Sequence, residues 1–365
     1  MTASALDRRI MAAAIRLARS HQGLTGTNPS VATLIVKDGV IVGRGVTAIG
    51  GRPHAETQAL LEAGERARGA TAYVTLEPCA HHGRTPPCAD ALVTAGVVRV
   101  VSAASDPDER VGGKGYAILR AGGIEVEENV LRAEAADDLA GYLIRSSKKR
   151  PEVTLKLAFS SDGSIGIKSH GQVGITGPVS RAQVHLMRAE SDAILVGIGT
   201  ILADDPLLTC RLPGLESRSP IRIVLDSQLR LPLDSALVRT ANVVPVWIAA
   251  NAAADPVKRQ ALEAAGCRIL ATEINCGATA LPELLDDLAA QGIATLMVEG
   301  GATVASSFLQ EDLVDRIALF EGPVAIGNDG GVVVPELRSH IARGFNLSHE
   351  YRYGEDCYSE YVRSI

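Results

Sequence analysis

Short runs of β-branched residues alternate with helical patterns along most of the chain, and this alternation constrains the fold more than any other feature. Val31–Val36 and Val40–Val46 flank Lys37-Asp38-Gly39, which predicts a hairpin. A helix is expected from about His54 to Ala63 and a strand at Ala70–Leu76, then a helix ending near Gly96, a strand at Val97–Ala103 and a short helix at Lys114–Ala121. Strands separated by helices read as an α/β layered domain around a central sheet. Leu131–Arg150 reads as one helix running up to Pro151, and proline disfavours helix in the residue before it. A domain boundary therefore belongs there, giving residues 1–150 and 151–365.

The alternation resumes beyond Pro151. Strands are expected near Val153–Ala158, Ala193–Val196, Ile221–Leu225, Val243–Ala249, Ala294–Glu299 and Arg316–Phe320. Helices fit near Pro178–Ala189, Pro256–Ala265, Leu281–Gln291 and Thr303–Gln310. Both halves are α/β, and neither is a copy of the other.

Composition narrows the class. The chain has 365 residues, 46% of them hydrophobic and 21% charged, which argues for folded domains and against disorder. The net charge of −6 and the lack of any long basic run argue against a nucleic-acid partner. No stretch approaches the roughly 20 apolar residues of a membrane span. The arginines at 8, 9, 16 and 19 raise the question of a transit peptide, but Ile10, Ala13, Ala14, Leu17 and Ala18 follow helical spacing and Asp7 is atypical of such signals. A first helix in a cytoplasmic protein is the expectation. A homo-oligomer is the expected assembly, its stoichiometry left open. In a cytoplasmic chain of this size, six cysteines point to metal ligands, catalytic groups or core residues and away from a disulfide framework.

His54-Ala55-Glu56, followed by Pro78-Cys79 and Cys88, is the strongest chemical signal. Imidazole and thiolate are common zinc ligands, and three protein ligands leave the fourth position for water. Zinc acidifies that water toward neutrality, and a carboxylate must then carry its proton to a leaving amine. Glu56 is the candidate. Residues two apart share a metal only at a helix start, and Pro53 suits the first helical position. His-x-Glu alone is common on surface helices; with Pro-Cys and a second Cys it matches the zinc nucleobase-deaminase signature. One departure is the spacing, since eight residues separate Cys79 from Cys88 where Cys-x-x-Cys is usual.

The whole string from Thr75 to Cys88, Thr-Leu-Glu-Pro-Cys-Ala-His-His-Gly-Arg-Thr-Pro-Pro-Cys, closely resembles the bifunctional riboflavin-biosynthesis deaminase/reductase family, as do Asn28-Pro29 and Pro53-His54-Ala55-Glu56. The resemblance implies a cytidine-deaminase-like N-terminal domain in which His54, Cys79 and Cys88 bind zinc, Glu56 moves protons and Asn28 helps hold a pyrimidine. His81, His82 and Arg84 are read as shaping the pocket, with Arg84 able to meet a phosphate; plain solvated loop residues are the alternative.

In the second half, Gly197-Ile198-Gly199 fails the dinucleotide fingerprint because Leu202 replaces its third glycine. Glu299-Gly300-Gly301 before a helix is a better anion site, with a simple tight turn as its rival. Lys156-Leu157-Ala158, Ser161-Asp162-Gly163, Leu202–Thr209, Asp226-Ser227 and Glu299-Gly300-Gly301 resemble the family's reductase domain. That implies a dihydrofolate-reductase-like fold using NADPH. Carried over, Ala158, Gly174, Thr200, Asp204, Ser227, Gly301, Ala302, Thr303, Val304, Ala305, Ser306 and Ser307 would line the nucleotide. Lys156, Gln172, Arg188, Leu208, Arg211 and Glu299 would line the substrate. Arg188 and Arg211 suit a phosphate ester, and either could instead be a solvated surface charge; Lys156 and Asp204 are both candidate proton donors. Relatives often carry Ser and Trp where this chain has Gln172 and Gly174.

The implied reaction is zinc-dependent deamination of 2,5-diamino-6-(5-phosphoribosylamino)pyrimidin-4-one, followed by reduction of the ribosyl chain to ribityl. An RNA- or nucleoside-directed deaminase is the rival, disfavoured by the acidic balance, the few aromatics and the long insert between the cysteines. A non-catalytic zinc protein would leave Glu56 without a purpose.

Overall fold

Asp38 and Gly39 adopt φ of 50° and 77°, which is what a two-residue hairpin turn demands. In the computed structural model, which describes residues 3–81, 86–167, 173–275, 278–327 and 330–364, this turn joins β1 (Ala32–Lys37) to β2 (Val40–Val46). Ahead of them runs α1 (Ala5–Ala18), opened by a capping box between Ser4 and Asp7. Its buried apolar residues, Met11, Ala14, Ile15 and Ala18, keep helical spacing.

The unit continues through α2 (Ala55–Ala63), β3 (Thr71–Leu76), α3 (Cys88–Thr94), β4 (Arg99–Ala104), α4 (Lys114–Ala121), β5 (Glu125–Glu127), α5 (Arg132–Asp138) and α6 (Ala140–Lys148). Its sheet order is β2-β1-β3-β4-β5, antiparallel at β2 and β1 and parallel from β3 onward. Two glycines of β2 bring a helix unusually close: a Cβ at Gly43 would lie 2.2 Å from the Ala59 carbonyl, and one at Gly45 would lie 2.1 Å from that of Ala55. The start of α2 is therefore laid directly on the strand. Two readings are corrected. The helix expected over 131–150 is broken at Leu139 (φ −97°, ψ 4°), and Pro53 precedes the N-cap His54, so it does not occupy the first helical position.

Contacts divide the chain into Met1–Lys149 and Arg150–Ile365. The second unit comprises β6 (Glu152–Phe159), β7 (Gly166–Ile167), α7 (Pro178–Glu190), β8 (Ala193–Gly197), α8 (Ile198–Asp204), β9 (Ile221–Leu225), α9 (Ala236–Arg239), β10 (Val246–Asn251), α10 (Pro256–Ala264) and β11 (Arg268–Thr272). It goes on through β12 (Ile274–Asn275), β13 (Ala278–Thr279), α11 (Leu281–Ala290), β14 (Thr295–Val298), α12 (Ala302–Gln310), β15 (Arg316–Glu321), β16 (Gly331–Val332), α13 (Leu337–Gly344), β17 (Phe345–Tyr353) and β18 (Asp356–Arg363). The main sheet has the order β11-β10-β9-β8-β14-β6-β15-β18-β17, parallel from β11 to β15, with the final hairpin antiparallel. Parallel strands send their carboxyl ends to one edge, and loops at that edge are where such folds place ligands. Among the described residues, no helix is long and apolar enough to cross a membrane.

Candidate active sites

Three chain segments converge in the first unit. β3 ends at Leu76, and the chain turns through Glu77 and Pro78 to Cys79. Buried Glu77 anchors this turn, accepting hydrogen bonds from the amides of Gly113 (3.1 Å) and Gly115 (3.0 Å) at the start of α4. Cys88 opens α3, and its amide donates to Cys79 Sγ at 3.2 Å. His54 is the N-cap of α2, with extended backbone (φ −68°, ψ 160°), so it can share a site with Glu56 in the first turn.

His54 Nδ1 lies 3.8 Å from Cys79 Sγ and 3.4 Å from Cys88 Sγ, and all three ligand atoms fall within 4.8 Å of one another. Ligand atoms around a tetrahedral zinc stand roughly 3.3–3.8 Å apart, given its bond lengths, so the gap fits that ion. The other imidazole nitrogen, Nε2, is buried with no hydrogen-bond partner among the described residues. Hydrogen bonding to Cys88 and His54 holds the Cys79 thiol at about 4, whereas the same bond and burial push Cys88 up. Glu56 is buried, 4% exposed, and burial with the adjacent Cys79 raises its carboxyl to about 7. A carboxyl poised there can both accept and return a proton near neutrality. Asn28 is held by its own loop, its carbonyl accepting from Thr25 Oγ1 at 2.7 Å. His81 is half-buried; His82 and Arg84 lie outside the described residues.

The second unit has a cavity of about 750 Å³ along the carboxyl edge of its sheet. Alternation along β6 buries Val153, Leu155 and Leu157 in the core on one face, leaving Lys156 and Ala158 on the other, at the cavity. From α7, Arg181, Val184, His185 and Arg188 line it at helical spacing. The Arg188 guanidinium grips Glu299 from both sides, Nε to Oε1 at 2.8 Å and Nη2 to Oε2 at 3.0 Å, and its Nη1 donates to the Thr209 carbonyl at 3.2 Å. Lys156 Nζ is 3.7 Å from the same carboxylate. Burial alone would raise Glu299, but Arg188 and Lys156 override it and hold the carboxyl at about 2. The expectation that Arg188 clamps a phosphate changes accordingly, because its fork is committed to Glu299. Arg211 lines the same region and pairs with no carboxylate among the described residues.

The turn after β14 is shaped for a ligand backbone. A Cβ at Gly300 would strike Val304 at 2.5 Å, whereas at Gly301 the nearest atom is Thr200 Oγ1 at 4.0 Å. Gly300 thus seats α12 against the strand, and Gly301 leaves an open cradle. The helix begins at Ala302, one residue before the sequence reading, and its N-cap Gly301 supplies no side chain to occupy the free N–H groups. Gly174, Thr200, Asp204, Leu208, Gly301, Ala302, Thr303, Val304 and Ser307 line the cavity as expected residues. Ala305 and Ser306 do not: Ala305 is fully buried in the core, and Ser306 Oγ donates to Glu336 at 3.1 Å. One helical run cannot face a single cavity on every residue. Ser227 does not line it either, and Gln172 lies outside the described residues. Sequence reasoning missed His185, Arg181 and Arg230; the first two were discoverable because they stand three and seven positions before Arg188, on one helical face.

Residues 4–104 match the cytidine and deoxycytidylate deaminase zinc-binding region, and residues 151–358 match the RibD C-terminal domain. The riboflavin biosynthesis protein RibD of Escherichia coli K12 is 41% identical over 334 residues, covering 88% of this chain and 89% of that protein. Its counterpart in Aquifex aeolicus is 39% identical over 88% of each. Among solved structures, Acinetobacter baumannii RibD superposes with a TM-score of 0.87 at 38% identity over 99% of both chains. A deaminase/5-amino-6-(5-phosphoribosylamino)uracil reductase from Thermotoga maritima gives 0.85 at 31% identity, covering 98% of this chain and 99% of that one. Two separate constellations, a His/Cys/Cys triad beside a buried glutamate and a charged cavity beside a glycine turn, are accounted for together: the chain belongs to the RibD family of bifunctional riboflavin-biosynthesis enzymes, with a deaminase domain of cytidine-deaminase type and a reductase domain of dihydrofolate-reductase type.

Proposed function

We propose that residues 1–150 deaminate 2,5-diamino-6-(5-phosphoribosylamino)pyrimidin-4-one with zinc and that residues 151–365 then reduce its ribosyl chain with NADPH. The observation that carries the first step is the convergence of His54 Nδ1, Cys79 Sγ and Cys88 Sγ within 4.8 Å of one another. These three atoms would hold zinc, which when bound supplies the Lewis acidity that activates water near neutral pH. Glu56 takes the proton of the attacking water on a carboxylate oxygen and delivers it to the departing amine. Its burial excludes competing solvent, and its raised pKa matches the two-way transfer.

For the second step, the Gly301 cradle and the free N–H groups of α12 would hold the pyrophosphate of NADPH, which supplies hydride to the ribosyl C1 carbon. Glu299, fixed by Arg188 and Lys156, offers an ionised acceptor for the ribose hydroxyls. Arg211 supplies the cation for the substrate phosphate. Lys156 carries protons that Glu299 cannot, and burial lowers its pKa while Glu299 counteracts that drop.

The test follows ammonia release and NADPH oxidation on the same substrate, with zinc measured by elemental analysis. Cys79→Ser or Cys88→Ser should remove most of the roughly one zinc per chain, because each takes away one of three protein ligands. Full zinc content in both variants would refute the ligand set; Cys210 and Cys267 should be dispensable for the metal.

A further inference from the structure

Arg222 stands in β9, between β8 and β10 in the sheet, with 0% of its surface exposed. It shares a strand face with Val224, which belongs to the apolar core, and no carboxylate pairs with it among the described residues. Cys267, the ionisable group that acts on it, is neutral, because burial pushes that thiol up to about 11. Burial lowers Arg222 itself to about 10, which leaves it a cation near neutral pH. A buried cation without a counter-charge is costly, and Val or Ile would suit a core strand better. Stability alone does not account for arginine at this position.

The guanidinium ties separate stretches of backbone together. Nη1 donates to Thr240 Oγ1 at 2.7 Å and to the Leu207 carbonyl at 3.3 Å, while Nη2 donates to the Thr240 carbonyl at 3.1 Å and to that of Val244. It therefore joins the loop after α8 to the chain that follows α9. That loop belongs to the cavity: Leu208 lines it and holds a φ of 55°, where a non-glycine residue rarely sits. The next carbonyl, of Thr209, accepts from Arg188 Nη1 at 3.2 Å and lies 3.1 Å from His185 Nδ1. At the loop's start Asp205 has a φ of 38°, and its Oδ1 accepts the amide of Ala236, the first residue of α9, at 2.7 Å. The loop is thus gripped at Asp205 and Leu207 from α9 and the core, and at Thr209 by residues of the cavity. Left-handed backbone of this kind persists only where its surroundings fix it.

We propose that Arg222 is a positioning residue of the reductase reaction: from inside the core it fixes Leu207-Leu208-Thr209, and through them the placement of Leu208 and Arg188 against the substrate. This rests on the substrate reading given above for the cavity. Thr240 belongs to the same device, because its hydroxyl aligns the nitrogen that holds Leu207. The Gly301 cradle lies on another element, at the start of α12, so nucleotide binding does not run through Arg222.

Steady-state reduction of the deaminated substrate by the full chain, with folded chains counted by calorimetric titration with NADP⁺, separates positioning from stability. Per folded chain, Arg222→Met should raise the substrate KM about tenfold or more, as expected when site groups are misplaced. Its NADP⁺ Kd should stay within about threefold of wild type and its ammonia release should be unchanged. Arg222→Lys should recover part of the loss, since it keeps the charge but cannot span all three carbonyls. Thr240→Val keeps the side-chain shape and should raise KM about threefold; with Arg222→Lys it decides the matter if Arg222→Met does not fold. A substrate KM within twofold of wild type in both of these variants, however far their melting temperatures drop, would overturn the proposal, and so would equal losses of substrate and NADP⁺ binding. Wild type that binds NADP⁺ yet reduces no deaminated substrate would overturn the substrate reading itself, and this assignment with it.

Discussion

Asp7 carries more hydrogen bonds than its place in a first helix requires. It is 3% exposed and accepts from Ser4 N (2.9 Å), Ser4 Oγ (2.8 Å), Tyr73 Oη (2.8 Å) and both terminal nitrogens of Arg99 (2.8 and 3.2 Å). Burial alone would raise its pKa, but the bonds from Arg99, Ser4 and Tyr73 outweigh it and hold the carboxyl well below the usual carboxylate range. A depressed folded-state pKa contributes stability that is complete above the unfolded value near 3.9 and is lost as pH falls toward the folded one. Asp7→Asn should therefore cost about 3 kcal/mol, the low end for breaking a buried pair because Arg99 keeps some solvent. It should also flatten the decline in stability between about pH 4 and pH 2. Urea unfolding across that range checks both, and an unchanged acid slope would show that Asp7 is not the titrating group. The sequence revealed that Asp7 does not suit a transit peptide; its partner Arg99, 92 positions away, was not legible.

At the scale of elements, the strand–turn–helix unit of β14 and α12 is set by side-chain absence. Cβ atoms at Gly300 and Gly197 would both press on Val304, at 2.5 and 2.8 Å. Gly300→Ala should cost about 1–3 kcal/mol as overpacking and weaken NADP⁺ binding by shifting the helix start. Because the clash has one partner, adding Val304→Ala should recover much of both losses, and a strictly additive double mutant would rule out that contact. Periodicity located this turn and most strands and helices of both sheets, since local burial alternation is a local property. It did not find the break at Leu139, where helical sequence continues on both sides, and it passed over β17 and β18 altogether. The run Phe345-Asn-Leu-Ser-His-Glu-Tyr-Arg-Tyr353 alternates, but as an edge strand it is largely exposed, so its pattern lacks the apolar density of a core strand.

Across the whole molecule, the two sites differ in how much of them a sequence can show. The His54/Cys79/Cys88 cluster was legible because its three residues sit in short motifs at element starts, where the chemistry proposed for them dictates the residue types. The cavity of the second unit gathers side chains from β6, α7, the loop after α8, the turn after β9 and the start of α12. No local pattern announces that Arg188 will meet Glu299, 111 positions on, and only family resemblance brought them together. Such sites share no group in the chemistry proposed, since water attack needs no hydride and hydride transfer needs no metal. Glu56→Gln should keep zinc, because Glu56 is no ligand, and lose ammonia release by at least about 10²-fold, as expected for a missing acid–base group. Given deaminated substrate, the same variant should oxidise NADPH at close to the wild-type rate. Gly301→Val should do the reverse: a branched side chain fills the cradle beside Thr200 and keeps the nucleotide from the α12 amides, while ammonia release continues. Loss of both activities in a folded, zinc-replete Glu56→Gln protein would mean that one composite site performs both reactions.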